Sequence, residues 1–303
     1  MCARPAMVLS MAFLIVSAFL VNAPLDLPYT SHETPALTAE DHYNQGEAYI
    51  GQGEYQQAID EFTQAIALNP AYVNAYHERG RAYELLGDYP NALTNYLHAV
   101  GLDPEFVYSY VGLGNVYIAQ HQFVWAVLVL SRAIAIDPAN ATAYEARGVA
   151  YHWLRAYTWA VADYSRAIDL DPNIARTYRN RALAYWGLAY WEQAAADLTR
   201  ALRLEPGDAW SYLTRGSVRV QLGQYDLAIA DFNQALDLDP SRIDAYRGLG
   251  DAYLGQPRYD EARSAYKQYL DLKLAQGEPP ELEALLHYVR TLLYPFGIAP
   301  SGG

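Results

Sequence analysis

The side chains able to do chemistry are few, and their spacing does not assemble a reaction centre. None of the seven histidines (His32, His42, His77, His98, His121, His152, His287) pairs with another at i, i+4, the spacing that puts two imidazoles on one helix face for a metal. The one cysteine, Cys2, cannot build a cluster or an intramolecular disulfide. No metal and no cofactor are expected. There is no G-x-S-x-G nucleophile elbow and no phosphate-binding P-loop. Gly51-Gln52-Gly53, Gly112-Leu113-Gly114 and Gly248-Leu249-Gly250 look like pieces of nucleotide loops, but no strand pattern precedes them. Asn140-Ala141-Thr142 matches a glycosylation sequon, a triplet that arises often by chance. The reading is of a protein that is not an enzyme. With 21 basic and 34 acidic residues the formal charge is −13, which repels phosphate backbones and excludes a general nucleic-acid binder.

The elements that position the side chains follow from one period. Pro70, Pro104, Pro138, Pro172, Pro206 and Pro240 are spaced 34 residues apart, each after an acidic residue or Asn. With these prolines at repeat position 32, seven units result: 39–72, 73–106, 107–140, 141–174, 175–208, 209–242 and 243–276. Position 20 is alanine in every copy, from Ala58 to Ala262, and position 8 is glycine in all but Ala182. Apolar residues recur at helical spacing over positions 2–14 and 17–30 of each unit. Small residues at 8, 20 and 27 let two antiparallel helices approach, and large ones at 4, 11, 17 and 24 fill the flanks. Twenty of the 28 tyrosines stand at those four large positions, so most are packing residues. Proline at 32 forces the residue before it out of helix and ends the second helix. One such hairpin cannot bury its apolar face alone, so neighbours must stack.

The pattern resembles the tetratricopeptide repeat family. Repeat one matches its signature with His42, Gln45, Gly46, Tyr49, Ala58, Phe62 and Pro70, and repeat four with Tyr144, Arg147, Gly148, Tyr151, Ala160, Tyr164 and Pro172. The resemblance covers 39–276. It implies an all-α fold, a right-handed superhelical solenoid of stacked antiparallel hairpins. It also implies a non-catalytic scaffold that binds a peptide or protein segment in a concave groove lined by the first helices at positions 2, 5, 9 and 12. Candidate groove residues on that frame are Tyr43, Arg81, Tyr108, Asn115, Arg176, Arg179, Trp186 and Trp210. Arg176, Arg179, Trp186 and Trp210 suggest a ligand patch, since Arg and Trp are favoured binding anchors. The alternative is that the tryptophans pack between repeats and the arginines are solvated. A lysine-based carboxylate clamp, known in the family, is absent, because Lys267 and Lys273 are the only lysines. Two other roles remain open: a structural subunit of a cell-envelope or secretion complex, and a recognition module for a separate enzyme.

One pair of positions varies together. Position 7 reads Gln45, Arg79, Leu113, Arg147, Arg181, Arg215, Leu249, and position 23 reads Glu61, Asn95, Val129, Asp163, Asp197, Asp231, Ala265. Polar residues accompany polar ones, which predicts salt bridges Arg147–Asp163, Arg181–Asp197 and Arg215–Asp231 inside single repeats.

The termini differ from the repeats. Met7 to Val21 is almost wholly apolar behind Arg4, so 1–23 reads as a secretory signal or a membrane anchor. A Pro/Ser/Thr linker follows over 24–38. Either reading puts the body outside a bacterial-type cytoplasmic membrane, secreted, periplasmic or anchored, and confines membrane contact to 6–23. After Gly277-Glu278-Pro279-Pro280, a capping helix is expected over 277–295. Its stripe of Leu282, Leu285, Leu286, Val289, Leu292 and Leu293 would cover the open face of repeat seven, or else dock another protein. A flexible tail, 296–303, ends the chain. Leu274 replaces the seventh proline, which predicts that the last second helix runs on.

Overall fold

The structure, a computed structural model, describes residues 36–277, 279 and 282–293. The chain divides into Met1–Thr38 and Ala39–Gly303, and the fifteen described helices all belong to the second unit. The signal or anchor (1–23), the linker up to residue 35 and the tail (296–303) lie outside the described residues.

Helices come in pairs at the repeat period. They run α1 (Ala39–Gln52) and α2 (Tyr55–Leu68), α3 (Val73–Leu85) and α4 (Tyr89–Leu102), α5 (Val107–Ala119) and α6 (Phe123–Ile136), α7 (Ala141–Trp153) and α8 (Tyr157–Leu170). The series continues with α9 (Ala175–Gly187) and α10 (Trp191–Leu204), α11 (Ala209–Gln221) and α12 (Tyr225–Leu238), α13 (Asp244–Gly255) and α14 (Tyr259–Ala275), and closes with α15 (Leu282–Leu293). Each helix packs on the next. First helices of neighbouring repeats also touch, whereas neighbouring second helices do not pack to that extent. The first helices therefore form the inner, concave layer of the solenoid.

The packing follows the residue sizes. The position-20 alanines are fully buried, and the glycine at position 8 lies against the large side chain at position 24 of its own repeat, as Gly148 does against the Tyr164 ring and Gly114 against Leu130. At the second-helix ends, Asn69, Asp103, Asp137 and Asp171 are extended. Each accepts on Oδ1 the N–H two residues on, at 2.9–3.2 Å. The polar residue before proline is thus a local turn device as well as a helix stop. At the seventh repeat, where proline is missing, α14 runs to 17 residues against 14 in the other second helices.

The last helix covers repeat seven with the opposite face from the one expected. Ala284 and Tyr288 pack on Tyr269 and Leu270, Thr291 is buried, and Arg263 Nη2 donates to the Thr291 carbonyl at 3.0 Å. Leu285, Leu286, Val289 and Leu292 are exposed. The small Ala284 permits close approach, and polar partners lie on that same side, which outweighs the greater hydrophobicity of the leucine side.

Candidate functional site

The position-7 arginine sits where three helices meet. Arg147 Nε and Nη2 donate to Asp163 at 2.7 and 2.8 Å, Arg181 to Asp197 at 2.8 and 2.8 Å, and Arg215 to Asp231 at 2.9 and 2.7 Å. These forked pairs join the two helices of one repeat. The pairing is not confined to one repeat. Each Nη1 also donates to a hydroxyl of the preceding repeat: Arg147 to Ser131, Arg181 to Ser165 and Arg215 to Thr199, at 2.9–3.1 Å. Those hydroxyls in turn donate to backbone carbonyls four residues back. Arg79 does the same with Asn95 and Thr63. The tyrosines at positions 4 and 11 flank the guanidinium, Tyr144 and Tyr151 at 5.7 and 5.8 Å from Arg147. The hydrogen bonds to Asp163 hold Arg147 protonated more firmly than usual. In repeat six, Arg219 replaces the tyrosine at 11 and gives Asp231 a second guanidinium at 2.6 Å. His42, at position 4 of repeat one, meets Glu61 at 2.6 Å. These braces are structural.

The candidate binding site is the concave face. Three cavities run along it, lined largely by side chains at positions 2, 5, 9 and 12. The first, of about 280 Å³, is lined by His77, Arg81, Glu84, Tyr108, Asn115 and Thr142 among others. The second, of about 370 Å³, shares Asn115 and Thr142 and continues to Glu145, Val149 and Arg176. The third and largest, of about 650 Å³, spans repeats four to seven with His152, Leu183, Trp186, Leu213, Ser217, Val220, Asp244, Arg247 and Asp251. Burial, and the nearby Arg81 guanidinium, push His77 down to about 4, so it is neutral at pH 7. Burial raises the carboxyls of Glu78 and Glu84. His152 is pushed down by burial, and its Nδ1 is buried with no hydrogen-bond partner among the described residues.

The sequence candidates fall in different places. Arg81, Tyr108 and Asn115 share the first cavity, Asn115 and Arg176 the second, and Trp186 lines the third. Arg176 is not a free anchor, because Nε and Nη2 both donate to buried Glu145 at 2.7 Å. Arg179 is paired with Glu205 and, at 3.2 Å, with Asp208. Trp210 packs with Trp186 against Ala182, Ala194, Leu198 and Val218, and Trp186 meets Trp191 edge-on at 5.7 Å. Tyr43 stands against Phe62 and Tyr72 and donates to Glu47 at 3.1 Å. The four-residue patch therefore separates into two neutralised arginines, one packing tryptophan and one cavity wall. Leu183, Leu213 and Val220, at positions 9, 5 and 12, carry the apolar wall of the largest cavity. Their place in the register was the signal for them.

The fold and groove define a protein-interaction solenoid, and the comparisons place it. Tetratricopeptide repeat models match residues 107–173 and 213–279, a TPR repeat model matches 46–87, and a further tetratricopeptide repeat model matches 73–106. Together they span more than half of the chain, which belongs to the tetratricopeptide repeat family. Among solved structures it is similar to the Cut9–Hcn1 hetero-tetramer of the APC/C, with 20% identity, TM-score 0.61, and coverage of 71% of this chain and 43% of that one. It is similar also to a tetratricopeptide repeat protein from Parabacteroides merdae ATCC 43184, with 16% identity, TM-score 0.57 and coverage of 84% and 98%. A third is YrrB, described as a TPR protein with an unusual peptide-binding site, with 20% identity, TM-score 0.54 and coverage of 61% and 96%. These identities bear on the fold. The chain thus spans less than half the length of the Cut9–Hcn1 chain it matches. No curated protein matches it in sequence.

Proposed function

We propose that this chain is a non-catalytic scaffold that holds a segment of a partner polypeptide along its concave face, seated by an apolar side chain in the cavity of repeats four to seven. The observation that carries this is the cavity of about 650 Å³ lined by groove positions of four consecutive first helices, with Leu183, Trp186, Leu213 and Val220 beside His152, Asp244 and Asp251. Recognition sites are concave and combine apolar walls with placed polar groups, and this cavity carries both in comparable measure. Arg176 and Arg179, already paired, shape the groove rather than anchor a ligand. We place the body outside the cytoplasmic membrane on the strength of Met7–Val21, a placement that the mature N-terminal sequence tests.

The test is capture of the full chain from expressing cells, with mass spectrometry of what co-purifies. Ser217→Trp fills the cavity from a partly buried wall position and is expected to lose the partner while helicity is kept. Retention of the partner by Ser217→Trp refutes groove binding. The exposed Leu285, Leu286, Val289 and Leu292 favour a second reading, an assembly subunit joined through its last helix. That reading requires Leu285→Asp/Leu292→Asp, not Ser217→Trp, to abolish capture. A separate enzyme as partner would be recognised by the activity that co-purifies.

A further inference from the structure

The outer edge of repeats three and four carries side chains that neither the repeat nor the groove explains. Trp125, Trp153 and Trp159 are 57%, 60% and 66% exposed, and Val124 and Leu128 lie exposed beside them. Position 19, held by Trp125 and Trp159, is Gln57, Asn91, Gln193 and Glu261 in four other repeats, so packing does not require an indole there. The patch is continuous across the repeat junction, because Trp153 of repeat four stacks on Phe123 of repeat three at 5.8 Å and 7°. Trp125, Leu128 and Arg132 lie on one helix face at i, i+3 and i+7, and Trp159 and Arg166 repeat the arrangement.

The exposed charges nearest the tryptophans in sequence are positive, in a chain of formal charge −13. No acidic residue occurs from Phe106 to Ile136. The next two on these helices, Glu145 and Asp163, are buried and paired with arginines. Arg132, Arg155 and Arg166 are exposed, and none is in an ion pair among the described residues. Exposed acidic side chains flank it at Glu105, ahead of repeat three, and at Asp169, three residues beyond Arg166, and Asp137 and Asp171 are half-buried in the inter-repeat loops. An exposed apolar patch of this kind marks an interaction surface.

We propose that this edge rests on a lipid bilayer with anionic headgroups, the indoles at headgroup depth and the arginines on the phosphates. Indoles favour the membrane–water interface, and cations near it are drawn to anionic lipid. The apolar Met7–Val21 in the same chain is an independent pointer to a membrane. Trp125, Trp153 and Trp159 line none of the three groove cavities, and a protein partner's anchor residues would need pockets to fill.

All six tryptophans lie in the repeats, so brominated lipid reports on them alone. The full chain is titrated with vesicles of brominated phosphatidylglycerol and, separately, of brominated phosphatidylcholine, and indole emission is followed. Quenching is expected with the phosphatidylglycerol vesicles. Trp125→Gln/Trp159→Gln, a change to a residue that other repeats carry at this position, is expected to weaken vesicle affinity roughly tenfold or more. Arg132→Gln/Arg166→Gln is expected to weaken it and reduce its salt dependence. The proposal is overturned if phosphatidylglycerol vesicles leave the emission unchanged, or if they quench the tryptophan variant with unchanged affinity. It is overturned equally if the unquenched chain self-associates in sedimentation and the tryptophan variant does not, which would give the edge to a second copy.

Discussion

Repeats four to six and repeats three and seven solve one packing problem with different chemistry. In four, five and six an arginine at position 7 ties its own second helix to a carboxylate and the preceding repeat to a hydroxyl. In three and seven the arginine becomes Leu113 or Leu249, and the carboxylate becomes Val129 or Ala265, all within apolar clusters. The backbone then compensates. Position 6 is Gly112 or Gly248 in these two repeats alone, whereas the braced repeats carry Glu78, Ala146, Asn180 and Thr214. A Cβ on Gly112 would lie 2.5 Å from Tyr96 Cζ, and one on Gly248 2.4 Å from Phe232 Cζ. The ring of the preceding repeat is therefore clamped between two glycines, Gly80 and Gly112 or Gly216 and Gly248. A directional polar tie tolerates side chains at the junction. An apolar junction without one needs direct backbone-to-ring contact.

The largest effect is expected where the polar solution is most concentrated. Asp231→Ala strands Arg215 and Arg219 together and should lower the stability of the full chain by about 3–5 kcal/mol in urea unfolding. Replacing Thr214, Arg215, Arg219 and Asp231 together with Gly, Leu, Tyr and Val, the residues found in repeat three, should recover part of that loss. If the fourfold variant is as unstable as the single one, the two solutions are not equivalent. Gly248→Ala attacks the apolar solution. Its Cβ meets a fully buried ring, and the overpacking should cost about 1–3 kcal/mol. No cost, or the gain of about 0.5–1 kcal/mol that an exposed helical Gly→Ala change brings, would remove the clamp from the comparison.

The fold was legible because a weak helical signal was written seven times in register. The brace was legible in part. Covariation of positions 7 and 23 pointed to Arg147–Asp163 and its relatives, since both partners lie inside one 34-residue window. The third leg was present too: Thr63, Ser131, Ser165 and Thr199 stand at position 25 just before each repeat that has arginine, and Leu97 stands before Leu113. It crosses a repeat boundary, so a comparison within repeats passed over it. The pairing of Arg176 with Glu145 has the same origin, a partner 31 residues away in another repeat. The exposed leucines of α15 show a different limit. Hydrophobicity says which residues gain by burial, but Ala284 and the contacts of Thr291 decided which face docks.

The third leg of the brace supplies a smaller test. Ser165→Ala removes the acceptor of Arg181 Nη1 and leaves the Arg181–Asp197 fork in place. The expected loss is about 1 kcal/mol, the net worth of one hydrogen bond. The equivalent change in the apolar pair, Leu97→Ala before repeat three, removes a half-exposed side chain with no polar partner and should cost less. Equal costs would mean that the hydroxyl contributes packing only.

The smallest expected effect runs the other way, toward greater stability, and it separates the hairpin turns from the braces. Position 15 adopts a left-handed conformation in repeats one to six. It is Gly53, Gly87 and Gly223 in repeats one, two and six, but His121, Arg155 and Ala189, each at φ 58°, in repeats three to five. A side chain in that region costs about 1–2 kcal/mol through the clash of Cβ with the carbonyl. Glycine relieves that clash but loses part of the gain to the greater freedom of its unfolded chain. Ala189→Gly should therefore stabilise by about 0.5–1 kcal/mol, and it touches neither Arg181 nor Asp197. Combined with Ser165→Ala, its effect should add, because turn and brace share no partner. A non-additive pair would show that the turn angle sets the position of the arginine, and that the strain in repeats three to five is part of how the brace is aimed.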